Sequence, residues 1–186
     1  MKLLVKERES QIKKDAKRVR REGSIPAVLY SSGQTNRRIV VRADEFHTHL
    51  RHTQKGHLSS KKFKLEDEKG QVVQAIVKEI QYHPTTYNIL HIDFLELHDD
   101  KEIRVNIPLS LKGTADCAGV KLGGVIRPVL RYLKVKCLPK NIPDTFEINV
   151  VDMKLNQSRR LSSIHLPDNV SPLDNLNDVA VIIAKR

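Results

Sequence analysis

A repeat of two residues constrains this chain more than any other feature. Ile103, Val105, Ile107, Leu109 and Leu111 alternate with Arg104, Asn106, Ser110 and Lys112, the pattern of a strand with one buried and one wetted face. Pro108 interrupts it, and a residue without a ladder donor predicts an edge position or a bulge. Shorter strand patterns occupy 25–30, 38–41, 61–65, 72–80, 89–97, 130–137, 145–150 and 179–184. Turns are expected at 31–33, at 66–70, at His83–Pro84 and in the glycine-rich stretch 119–124.

Two segments depart from that period. Residues 13–22 are strongly charged and end at Gly23 with Pro26 beyond, which predicts a helix with a clean stop. Residues 44–54 carry Phe46 and Leu50 four apart, one apolar stripe for packing on a sheet. A chain of 186 residues can build two modest cores. The break near 98–100, where a strand ends in polar residues before the amphipathic strand, divides it into 1–98 and 99–186. The expected fold is mainly β: a small barrel or half-barrel with one or two short helices, then a second β-rich domain.

Charge bears on partners. The net charge is +11, and residues 1–98 hold 19 basic and 12 acidic side chains against 14 and 10 in 99–186. The first 42 residues alone hold 12 basic and 4 acidic. A positive field concentrated at one end attracts polyanions. Tryptophan is absent and aromatics make up 4%, so charge and hydrogen bonds must hold any such partner. No apolar run reaches membrane length and the N-terminus lacks a signal-peptide apolar region, so no membrane contact and a cytoplasmic location are expected. Cys117 and Cys137, twenty positions apart and outside any CxxC, read as buried reduced thiols.

The strongest chemical candidate is the run Lys13, Lys14, Lys17, Arg18, Arg20, Arg21 on the first helix, able to meet the regular phosphates of a nucleic acid or simply to be solvated. The second is His91–Ile92–Asp93. Strand periodicity puts His91 and Asp93 on one face, with Leu90, Ile92 and Phe94 expected in the core. Such a pair can read base edges or sugar hydroxyls. Seven of the eight histidines precede residue 99, but His47 and His49 cannot share a helix face and the cysteines are remote, so no metal site is expected. There is no GxSxG, HExxH or GxxxxGK[ST], and the glycines of 119–124 lack the lysine and hydroxyl a phosphate loop needs; a tight turn accounts for them. An RNA-processing role for His91 and Asp93 lacks a second carboxylate. Neither catalysis nor a cofactor is expected.

Three segments in order carry a resemblance: 18–30 (RVRREGSIPAVLY), Ile80-Gln-Tyr-His-Pro84 and His91-Ile-Asp-Phe94. Together they resemble the bacterial large-subunit ribosomal protein twenty-five family, which binds 5S rRNA. Ile107-Pro-Leu, Gly119 to Gly124 and Cys137 to Pro143 are similar to its long form, often called general stress protein CTC. The resemblance implies a structural constituent of the large ribosomal subunit whose N-terminal barrel grips the loop E region of 5S rRNA. It implies RNA contacts at Arg8, Lys17, Arg18, Arg20, Tyr30, Gln81, His91 and Asp93, and a C-terminal domain facing neighbouring ribosomal proteins or tRNA. Lys17 stands where the family often has arginine, and Ile12 and Lys14 where it usually has glycine. Ser31 replaces the usual glycine, and Tyr82 stands where some members carry arginine. The alternative is a free stress-response RNA-binding factor that is not stoichiometric on ribosomes.

Overall fold

The computed structural model describes residues 1–8, 13–31, 35–54 and 56–185. Ile12, the side chain of Lys13, and the Ser32–Gly33 part of the expected turn lie outside the described residues. The chain is mainly β and divides into two compact units, Met1–Asp99 and Asp100–Arg186.

The first unit holds β1 (Lys2–Glu7), α1 (Lys13–Arg21), β2 (Ser24–Tyr30), β3 (Arg37–Arg42), α2 (Ala43–His52), β4 (Lys62–Asp67), β5 (Val72–Tyr82) and β6 (Ile89–Glu96). Its strands close a barrel in the order β1-β3-β2-β6-β5-β4. β1 is absent from the strands the sequence predicts. The exposed Leu4 between the inward Leu3 and Val5 makes an apolar run of them and hides the alternation. It becomes a strand by closing the barrel, antiparallel to β3 and parallel to β4. Inward-facing Leu3, Ile25, Ala27, Ile39, Val41, Phe63, Leu65, Ala75, Ile92 and Phe94 fill the core. Phe46 of α2 joins them, 6.2 Å from the Phe63 ring, and Phe63 meets Phe94 edge-on at 6.1 Å. Burying a side chain of that size contributes roughly 1.5–3 kcal/mol, enough to seat a short helix. Among the histidines of α2, His49 is structural: its Nε2 meets the Lys2 carbonyl at 2.8 Å and its ring packs on Phe63.

The second unit holds β7 (Ile103–Lys112), α3 (Ala118–Lys121), β8 (Gly124–Pro128), β9 (Tyr132–Cys137), β10 (Phe146–Asn149), β11 (Ser158–Arg160), β12 (Val170–Pro172) and β13 (Val179–Lys185). These form a sheet of order β10-β7-β9-β12 and another of order β11-β13-β8. β7 is internal rather than an edge, a correction to the expectation from Pro108, and the register explains it. Residues Ile103 to Pro108 pair with β9, and Leu109 to Lys112 pair with β10. Pro108 thus marks the point where the strand changes partner and a ladder donor is least needed. Cys117 and Cys137 are buried thiols, Cys117 donating to the Met153 carbonyl at 3.5 Å.

The glycine-rich stretch also needs correcting. Only Leu122 and Gly123 form a turn, and it joins the short helix α3 to β8 rather than two strands; packing explains two of the other glycines. A Cβ on Gly119 would lie 3.0 Å from Ile183 and from the Lys154 backbone; one on Gly124 would lie 2.7 Å from the Gly119 carbonyl.

Candidate nucleic-acid interface

Strand register gathers the expected residues. The Arg8 amide donates to the Arg38 carbonyl at 2.9 Å, Arg38 is paired with Val28, Val28 with Asp93, and Asp93 with Glu79. Paired residues share a face. Since Ile39, Ala27, Leu29, Ile92 and Phe94 face the core, this row runs across the outside of the barrel. Successive strands lie about 4.8 Å apart, so Arg8 and Asp93 stand roughly 14 Å from each other along it. Arg38 belongs to the row although motif reasoning passed over it. The alternation of Ile39 and Val41 already turned it outward.

At the centre of this face Asp93 engages two neighbours. His91 Nδ1 lies 2.7 Å from Oδ1, and the Tyr30 hydroxyl donates to Oδ2 at 3.3 Å. His91 and Asp93 are 22% and 19% exposed, accessible yet held. A carboxylate cannot donate, so the shared proton of the His91 contact sits on Nδ1, which fixes the tautomer of the neutral ring with Nε2 as its acceptor. The phenol of Tyr30 is pushed above its ordinary range of 10.0, first by burial, then by the Asp93 charge and hydrogen bond, and then by Glu79. Gln81 is exposed and paired across the strands with His91, extending the polar group sideways.

Glu79 is a carboxylate on this face that sequence reasoning missed. β5 carries a bulge between Val77 and Glu79, which leaves Lys78 and Glu79 both exposed. The signal was present: core-facing Ala75 and Val77 are followed by Ile80 rather than residue 79, a phase slip of one. A second bulge, between Gln81 and Tyr82, corrects the expectation for Leu90. Leu90 is only half-buried, and Ile89 takes its place in the core.

The cations of α1 approach from the adjoining side. Val19 anchors the helix, buried to 7% exposure, while Lys17, Arg18 and Arg20 are exposed. Arg20 Nε donates to the Leu90 carbonyl at 2.9 Å, which ties α1 to β6 next to His91 and leaves the terminal nitrogens of the fork to turn elsewhere. Arg18, 69% exposed, sits 3.6 Å from Asp15 and 3.8 Å from Glu22. Among the described residues the Arg8 Nε is buried with no hydrogen-bond partner. The arrangement can grip phosphates with fixed cations and present acceptors and donors to bases beside them.

Two family models match the chain, the Ribosomal L25p family over residues 3–94 and the C-terminal domain of ribosomal protein TL5 over residues 102–186. The chain is 44% identical to large ribosomal subunit protein bL25 of Chlamydia muridarum over 186 residues, the whole of both chains. The protein of that name is equally similar in Chlamydia trachomatis serovar D, 44% over both full lengths, and in Chlamydia abortus 42% identical over both full lengths.

Proposed function

Since the chain belongs to the bL25 family of ribosomal proteins, in its long form, we propose that it is a cytoplasmic constituent of the large ribosomal subunit that binds 5S rRNA, at the loop E region, through its N-terminal barrel. The family is structural and non-enzymatic, so the polar face serves recognition rather than catalysis. In this reading Arg8, Lys17, Arg18 and Arg20 meet phosphates, while Tyr30, Gln81, His91 and Asp93 meet base edges or ribose hydroxyls. The single observation that supports it best is that Asp93, which engages Tyr30 and His91, lies in one register row with Arg8 and next to the helix that Arg20 ties down. A merely solvated basic helix has no use for an ordered acceptor beside it. The C-terminal unit, with Val129, Tyr132 and Leu173 exposed, would face neighbouring ribosomal proteins or tRNA.

Chemical footprinting of the full chain on 5S rRNA tests partner, site and register together. One continuous protected region in loop E is expected, and protection elsewhere or nowhere would end the reading. Sedimentation after a high-salt wash separates it from a free stress-response factor. A subunit constituent stays at about one copy per large subunit, whereas a free factor is washed away.

A further inference from the structure

Between β5 and β6 the chain turns through 83–88, and this hairpin holds the most exposed large hydrophobic of the described residues. Tyr87 is 77% exposed and has a backbone φ of 55°. A bulky residue in the left-handed region is a strained outlier, since its Cβ crowds the neighbouring carbonyl. The surrounding loop enforces it. The His83 amide donates to the Asn88 carbonyl at 2.8 Å and the Tyr87 amide to the His83 carbonyl at 2.9 Å. His83 Nδ1 accepts from the Thr85 and Thr86 amides at 3.3 and 3.2 Å. Glycine or asparagine would sit there without strain, so folding gives no reason for a tyrosine.

The same hairpin borders a groove of about 280 Å³, lined by Thr86 and Asn88, the sequence neighbours of Tyr87, and by Arg20, His47, His83 and Leu90. No carboxylate lines it among the described residues. Because His83 Nδ1 accepts two amide hydrogens, the neutral ring carries its proton on Nε2 and is a donor there. Arg20, His83, Thr86 and Asn88 thus bring hydrogen-bond donors to one small groove, and the hairpin that borders it carries an exposed aromatic ring on a backbone held by hydrogen bonds. An exposed aromatic ring and a donor-rich, carboxylate-free groove on one hairpin match one nucleotide with its base out of the stack: ring on ring, phosphate on cation.

We propose that the 83–88 hairpin is a nucleotide clamp, in which Tyr87 stacks on one unpaired base of the bound RNA and the Arg20–His83 groove takes the adjoining phosphate. The inference rests on the proposed RNA-binding role and adds to it a contact outside the face centred on Asp93.

The test uses the full chain and 5S rRNA at a single salt concentration, with Tyr87→Gly and Tyr87→Phe. Tyr87→Gly removes ring and backbone strain together, so its melting temperature should equal or exceed that of the parent. Its affinity should nevertheless fall roughly 5- to 100-fold, the range for losing one stacked base. Tyr87→Phe should bind as the parent does. In footprinting, one unpaired nucleotide should become reactive in the glycine variant while the rest of the footprint stays. Parent-like affinity and an unchanged footprint for Tyr87→Gly would overturn the clamp and leave the RNA-binding role standing. That result together with poorer incorporation into the large subunit would assign the hairpin to a protein neighbour, and the clamp would fall. Failure of the parent chain itself to bind 5S rRNA would remove the role and the clamp with it.

Discussion

With His91 Nδ1 2.7 Å from one oxygen and the Tyr30 hydroxyl 3.3 Å from the other, Asp93 aims two other groups as much as it reads a base itself. Asp93→Asn should act through that role. An amide can offer its NH₂ to His91 Nδ1, which in the neutral ring moves the proton to Nε2 and exchanges an acceptor for a donor there. Affinity for 5S rRNA should drop by about 1–3 kcal/mol, the range for a specific base contact, while binding to unrelated RNA stays equal or tightens slightly. An unchanged ratio of specific to non-specific affinity would make Asp93 purely structural. The phenol gives an independent check. Tyr30 should ionise above 10.0, and Asp93→Asn should lower its midpoint only partly, because burial is the larger cause. A raised phenol contributes stability that is complete below pH 10 and lost as pH rises through the folded value, so this group gives stability no pH dependence near neutrality. Absorbance at the tyrosinate band, with Tyr30→Phe as the subtraction, measures it.

At the scale of the element, α1 presents two arginines that differ in attachment. Removing a cation that neutralises one phosphate should reduce the slope of log affinity against log salt by roughly 0.7–0.9. Arg18→Ala should show that reduction with little change in stability, since its ion pairs with Asp15 and Glu22 are surface contacts. Arg20→Ala should show it together with a loss of about 0.5–1.5 kcal/mol in stability, because the tie to the Leu90 carbonyl goes with the guanidinium. Thermal melts run beside the salt titrations separate the two variants. Unchanged slopes in both would mean that α1 is only a solvated face. Arg18→Lys should keep most of the slope but lose affinity if the phosphate is gripped by two prongs of the fork.

The whole molecule divides into units with separate cores, so damage to one should spare the other. A fragment of residues 1–99 closes its own barrel and should bind 5S rRNA nearly as tightly as the full chain, whereas 100–186 should not. Finding the main affinity in the second fragment would relocate the site. Gly124→Ala provides the converse test. Its methyl would lie 2.7 Å from a backbone carbonyl and 2.8 Å from Ile183, and such overpacking typically costs about 1–3 kcal/mol. Unfolding of the second unit should shift to lower temperature while RNA affinity holds. A parallel loss of RNA binding would show that the units are coupled.

Much of this protein is legible in its residue order, because local pattern and charge are properties of neighbouring residues. Alternation in 72–80, 89–97 and 103–111 located the long strands, Gly23 ended α1 where the helix stops, and the period of two set His91 and Asp93 on one face. The segments 18–30 and 91–94 pointed to the family. Only the tertiary structure decided the rest. β11 and β12 are three residues long, too short for a period, and β1 hides its own behind Leu4; all three exist because a partner strand supplies their hydrogen bonds. The row Arg8–Arg38–Val28–Asp93 joins positions up to 85 apart through register between four strands, which no local pattern carries. The left-handed Tyr87 is likewise invisible in a sequence that offers no glycine there, since the hydrogen bonds of His83 impose it. Side-chain chemistry is written residue by residue, but which side chains meet is settled by barrel closure.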